Sequence, residues 1–146
     1  MKTRVAVVVS RFNEEVTSRL LASCLKTFKD EGWKDSALEV VHVPGGFELP
    51  WTVNELARSG RYAAVVTLGC VLKGQTPQNG HISRSLVHSL HRISVETRVP
   101  VILGVLTPNT WAQALARTKG ALDRGKEAAL AALEMVALRE ELRGKA

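Results

Sequence analysis

The sequence GCVLKGQTPQNG, residues 69–80, separates a strand-like segment from a helix-like one. Residues 63–68 before it are apolar or β-favouring without polar alternation, which is typical of a parallel strand buried on both faces. From about His81 onward, apolar residues recur at helical spacing. A loop at the carboxyl end of such a strand is where α/β proteins place their ligands, so this loop is the first candidate for a site.

Several residues of this loop are suited to holding a ligand. Gly74 has no Cβ and is predicted to let the backbone approach a ligand closely. Free backbone N–H groups near Gln75 and Thr76 are predicted to hold an anion. Asn79 and Gly80 then form a predicted turn toward the helix. These residues alone leave open the alternative of an ordinary connecting loop.

The same order of strand, loop and helix repeats along the chain. Apolar runs predict strands at residues 4–10, 37–43, 63–68 and 100–106. Amphipathic spacing predicts helices at residues 14–29, 50–58, 81–97, 110–117 and 124–142. Four β-α units with short loops predict a three-layer α/β fold, in which helices cover both faces of a four-stranded parallel sheet. We expect residues 1–146 to form a single domain of this flavodoxin-like kind.

The last predicted helix is rich in alanine, which permits close approach of another helix. Leu130, Leu133 and Val136 lie at core spacing and are expected to be buried. Just before and into this helix, residues 120–126 match the glycine and lysine spacing of a phosphate-binding P-loop. Glu127, however, stands where Ser or Thr is needed, and no predicted strand precedes the match. We interpret this match as a coincidence.

The composition limits the class of protein. Of the 146 residues, 45% are hydrophobic and 23% are charged, as in an ordinary globular protein. The net charge of +6 is spread without a dense Lys/Arg block, which argues against a dedicated nucleic-acid module. Cys24 and Cys70 form no CxxC motif, so neither a disulfide framework nor a zinc site is predicted. Because no segment approaches the ~18 apolar residues of a membrane span, we expect a cytoplasmic protein.

Four side chains near predicted strand ends are candidates for the site, and three of them have two interpretations. Phe12 either folds back into the core or offers a stacking platform for a planar ligand. Asn13 is expected to cap the following helix. Glu48 either favours a helix dipole or accepts hydrogen bonds from ligand hydroxyls. Cys70 is either a small buried hydrophobe, which is the commoner case, or a reactive thiol.

Three histidines share one arc of the third predicted helix. They are His81, His88 and His91, with Arg84 beside them. No carboxylate joins them on that arc, and their neighbours do not form an H-E-x-x-H motif. We therefore favour a solvated or subunit-contact face over a metal site.

Motifs along nearly the whole chain jointly resemble one family, the lumazine synthases. They are RFN at 11–13, PGGFELP at 44–50, GCVLKGQTP at 69–77, PVILGVLT at 100–107, ALAR at 114–117 and GKEAA at 125–129. The resemblance implies an enzyme of riboflavin biosynthesis that condenses a ribitylaminouracil with 3,4-dihydroxy-2-butanone 4-phosphate. It also implies no metal and no cofactor, and a homo-oligomer built from pentamers that sometimes form an icosahedral shell.

The resemblance also implies the residues that hold the uracil substrate. Phe12 would stack on the pyrimidine ring, while Asn13 and Glu48 would bind hydroxyls of the ribityl chain. The other uracil and ribityl contacts, several of them from the backbone, would be made by Gly46, Phe47, Cys70, Val71 and Leu72.

The phosphate substrate is implied to lie against a different set of groups. The backbone of Gln75 and Thr76, together with the side chain of Arg117, would bind its phosphate. Arginine suits this role because its fork grips phosphate bidentately. Leu103 would line the pocket from a neighbouring subunit.

One departure from the family pattern bears on the chemistry. The family places a histidine two residues after the threonine, where this chain has Gln78. Glutamine does not titrate near neutral pH, so we expect altered proton transfer and reduced activity. His81 would substitute only if the loop were reshaped. The alternative is a non-catalytic, oligomeric relative that binds a lumazine or flavin or forms a shell.

Overall fold

The computed structural model describes residues 3–74 and 76–144. Its strands are β1 (Val5–Ser10), β2 (Leu38–Val43), β3 (Ala64–Cys70) and β4 (Val101–Leu106). Its helices are α1 (Glu14–Asp30), α2 (Leu49–Arg58), α3 (Pro77–Thr97), α4 (Trp111–Ala116) and α5 (Arg124–Gly144). The strands pair in parallel in the order β2-β1-β3-β4, which confirms the predicted α/β fold.

The sheet lies between two layers of helices. Successive strand residues point to opposite faces, so Val7 and Val66 pack toward α1 and α5, whereas Val8 and Val65 pack toward α2 and α3. The central strands β1 and β3 are buried along their whole length, as their unbroken apolar runs predict. No helix in the described ranges is long and apolar enough to cross a membrane.

Helix α5 packs on α1 through small residues. A Cβ added to Gly125 would lie 2.3 Å from the backbone oxygen of Leu20, so the two helices touch almost backbone to backbone. The face turned inward consists of Gly125, Ala128, Ala129, Ala132 and Val136. The predicted close approach through alanine is therefore confirmed. The expectation that Leu130 is buried is wrong, since it is 39% exposed: at this separation the inward face has room for alanine but not for leucine.

Helix α3 begins four residues earlier than predicted. Thr76 is its N-cap and accepts a hydrogen bond from the N–H of Asn79 at 3.2 Å, and Pro77 takes the first helical position. The predicted turn at Asn79 and Gly80 is wrong, because both residues lie in the first turn of the helix. A favourable cap and proline outweigh the low helix propensity of these two residues.

Candidate active site

The loops after β1, β2 and β3 are tied together at the carboxyl edge of the sheet. The N–H of Phe12 donates to the carbonyl of Pro44 at 3.0 Å, which joins the first two loops. The Asn13 side-chain amide donates to the carbonyl of Cys70 at 2.8 Å, which joins the first loop to the end of β3. Three segments far apart in the sequence therefore form one surface.

Phe12 and Glu48 both lie close to Gly45. A Cβ placed on Gly45 would lie 3.9 Å from Cβ of Phe12 and 3.3 Å from Oε1 of Glu48. Phe12 is 63% exposed, so it does not fold back into the core. An exposed aromatic ring beside a carboxylate is suited to a planar ligand that carries hydroxyl groups.

The loop after β2 rests directly on the loop after β3. A Cβ on Gly46 would lie 3.2 Å from Cγ2 of Val71 and 3.4 Å from Cδ1 of Leu86. Val71 and Leu72 are buried beneath this contact, while Phe47 is exposed beside it. The structure thus brings together the predicted uracil-binding residues that follow β2 with those that follow β3.

Asn13 has a different local role from the one expected. It occupies the N-cap position of α1, but its side chain makes no cap hydrogen bond there. Its backbone is left-handed, with φ of 62°, and its amide reaches across to Cys70 instead. The predicted side-chain cap is wrong: a cap would use Oδ1 as the acceptor, but the bond from Nδ2 to Cys70 holds the side chain toward the end of β3. The amide oxygen, an acceptor, is the atom suited to a ligand hydroxyl.

Substitutions at Asn13 separate the hydrogen bond from the backbone conformation. We expect Asn13→Gly to lower the free energy of unfolding by about 1 kcal/mol, through loss of the bond to Cys70. Asn13→Ala should lower it by about 1 kcal/mol more, because alanine resists a positive φ. Urea denaturation of the two variants measures the difference. Equal losses would contradict a left-handed backbone at this position.

Cys70 is a buried, protonated thiol. It is 3% exposed, and burial raises its pKa to about 11. A thiol with that pKa carries almost no thiolate near neutral pH, so the small-hydrophobe interpretation is favoured over a reactive cysteine.

Gly74 packs closely on the loop after β4, and its predicted close approach to a ligand stays a prediction. A Cβ there would lie 2.7 Å from the backbone oxygen of Asn109. The N–H of Lys73 donates to Pro108 at 3.0 Å and fixes the same contact. Gln75 lies outside the described residues, so its predicted anion contact stays a prediction.

Asn79 is a residue that the sequence analysis placed in a turn, missing the role of its side chain. Its side-chain amide donates to the carbonyl of Leu72 at 2.7 Å, while its own N–H bonds to Thr76. It therefore holds the loop after β3 against the start of α3. The signal was present as Thr-Pro-x-Asn at residues 76–79, in which Thr at the N-cap and Pro at the first helical position mark a helix start.

Leu103 and Arg117 line a separate cavity of about 470 Å³. This cavity lies beside β4, the strand at one edge of the sheet. Arg124 and Glu127 also line it and form an ion pair at 2.9 Å. Among the described residues no carboxylate pairs with Arg117, and Phe12 does not line this cavity. Within one chain, the structure does not bring Arg117 and Phe12 into a shared pocket.

The histidines of α3 do not form a metal site. His81, His88 and His91 are all exposed. No group of three or more His, Cys, Asp or Glu side chains with metal-binding geometry occurs in residues 3–74 and 76–144. Gln78 is exposed on the first turn of the helix.

Comparisons with a family model and with curated proteins agree on one family. The family model of 6,7-dimethyl-8-ribityllumazine synthase matches residues 2–140. A curated 6,7-dimethyl-8-ribityllumazine synthase from Salinibacter ruber (strain DSM 13855 / M31) is 42% identical over 142 residues. That alignment covers 97% of this chain and 91% of the relative.

Proposed function

Since this chain belongs to the 6,7-dimethyl-8-ribityllumazine synthase family, we propose that the loops after β1, β2 and β3 hold its uracil substrate. The protein is a lumazine synthase, a transferase of riboflavin biosynthesis. It condenses 5-amino-6-(D-ribitylamino)uracil with 3,4-dihydroxy-2-butanone 4-phosphate to give 6,7-dimethyl-8-ribityllumazine. The non-catalytic alternative is not favoured by these matches.

The uracil ring stacks on Phe12, and its ribityl chain runs toward Glu48 and Asn13. The observation that carries this proposal is the pair of hydrogen bonds from Phe12 to Pro44 and from Asn13 to Cys70. They hold an exposed ring over a surface built from three strand ends. The remaining contacts come from the backbone of Gly46 and Phe47 and from the residues at 70–72.

The phosphate half of the site comes from a second copy of the chain. Arg117 and Leu103 line a cavity apart from Phe12, so one chain alone holds only part of the site. Arg117 has no carboxylate partner among the described side chains, which leaves its guanidinium available for a phosphate. The site is complete when this cavity lies over Phe12 of a neighbouring copy. The backbone at Thr76 of that neighbouring copy then contacts the same phosphate. Repeating the contact gives a ring of subunits, which we take to be a pentamer.

A turnover assay tests the activity and the proposed site. We expect the purified protein to form the lumazine from both substrates, followed by its absorbance, faster than the protein-free mixture does. Phe12→Ala should slow turnover and raise the KM for the uracil substrate, because it removes the stacking ring. An unchanged KM in Phe12→Ala would contradict the stacking role.

A further inference from the structure

The start of α3 carries a titratable side chain one turn after the position of the family's histidine. Gln78 and His81 are three residues apart, so they lie on the same side of the helix. This relation exists only because the helix begins at Pro77 rather than at His81. From it we propose that His81 is the proton-transfer residue of the condensation, a role that Gln78 cannot fill; the inference rests on the function proposed above.

His81 lines a cavity next to the uracil-binding loops. The cavity has a volume of about 400 Å³, and its walls include Phe47, Pro50 and Leu86. Leu86 also contacts Gly46, which in turn touches Val71. The cavity of His81 and the surface proposed for the uracil therefore share a wall.

The charge around His81 is simple. It is the one titratable side chain among the described residues that line the cavity. On its own helix, Nη2 of Arg84 lies 3.5 Å from Nδ1 of His81. A guanidinium can only donate, so this contact is a hydrogen bond only while Nδ1 carries no proton. Nε2 is the other ring nitrogen and the one left to exchange protons with a ligand. When Nε2 acts as the base, the proton of the neutral ring sits on Nδ1 and the contact with Arg84 is given up.

The condensation requires a group that gives a proton and then takes one. After the 5-amino nitrogen has added to the ketone, protonated His81 donates to the carbinolamine hydroxyl. The hydroxyl leaves as water while the nitrogen lone pair forms the C=N bond of a cationic iminium. Neutral His81 then removes the proton from the adjacent carbon C3, and the C–H electron pair makes a neutral enamine. His81 ends protonated, as it began, and an uncharged amide side chain cannot complete this cycle.

The test compares turnover number and pH profile in matched variants. We expect His81→Gln to lower kcat by about 10²-fold or more and to change the pH profile of kcat, because glutamine cannot exchange a proton. The control is His88→Gln, because His88 is exposed, lies two turns along the same helix and lines a different cavity. This variant should keep the kcat and the pH profile of the unmodified protein. Adding Gln78→His to His81→Gln should restore much of the rate, because it returns an imidazole to the same helical face.

Two results would overturn the assignment. One is a kcat within about threefold of the unmodified protein, or an unchanged pH profile, in His81→Gln. The other is an equal loss in His88→Gln, which would indicate general damage to the helix. Turnover by the unmodified protein in the same assay reports separately on the proposed function.

Discussion

Gly125→Ala is expected to lower the free energy of unfolding by about 3 kcal/mol or more, although alanine is the better helix former by about 1 kcal/mol. The new Cβ would lie 2.3 Å from the backbone oxygen of Leu20 and 3.1 Å from its Cα. These are backbone atoms, so no change of side-chain rotamer relieves the overlap. Helices α1 and α5 would have to move apart and loosen the packing of Ala128 and Ala129.

The matched control is Gly144→Ala, at the other end of the same helix. A Cβ there meets nothing within 4 Å, so helix propensity alone applies and stability should stay equal or rise slightly. Thermal and urea unfolding of both variants measure the contrast. A Gly125→Ala variant as stable as the unmodified protein would contradict the contact between α1 and α5.

Arg117→Ala is expected to raise the KM for the butanone phosphate by about 100-fold, which corresponds to about 3 kcal/mol for a lost bidentate contact to phosphate. The KM for the uracil substrate should change little, because no stacking or ribityl contact is removed. Arg124, in the same cavity, is already paired with Glu127. Arg117 is therefore the guanidinium that we expect to determine the affinity for phosphate.

Two further variants sharpen the Arg117 experiment. Arg117→Lys keeps the charge but loses the planar fork, so its KM should lie between those of the alanine variant and the unmodified protein. Arg19→Ala removes an exposed arginine on α1, which pairs with Glu15, and should leave both KM values unchanged. Steady-state kinetics with each substrate varied in turn measures all three. An unchanged KM for the phosphate substrate in Arg117→Ala would mean that another group binds the phosphate.

The sequence by itself determined the layered fold and the family. Unbroken apolar runs such as residues 5–9 have no face to turn to water, so they require a central parallel strand covered on both sides. Apolar spacing then places the helices, and loop motifs such as PGGFELP at 44–50 identify the relatives. These properties are local in the chain, which is why they can be read without coordinates.

Only the tertiary structure decided how particular side chains are used. Asn13 looked like a cap but bonds to Cys70, and Leu130 lay at core spacing but faces outward. Arg117 lies in a cavity apart from Phe12, which the order of motifs along the chain did not reveal. Each outcome depends on the distance between segments remote in sequence, and that distance is set by packing rather than by local residue preference.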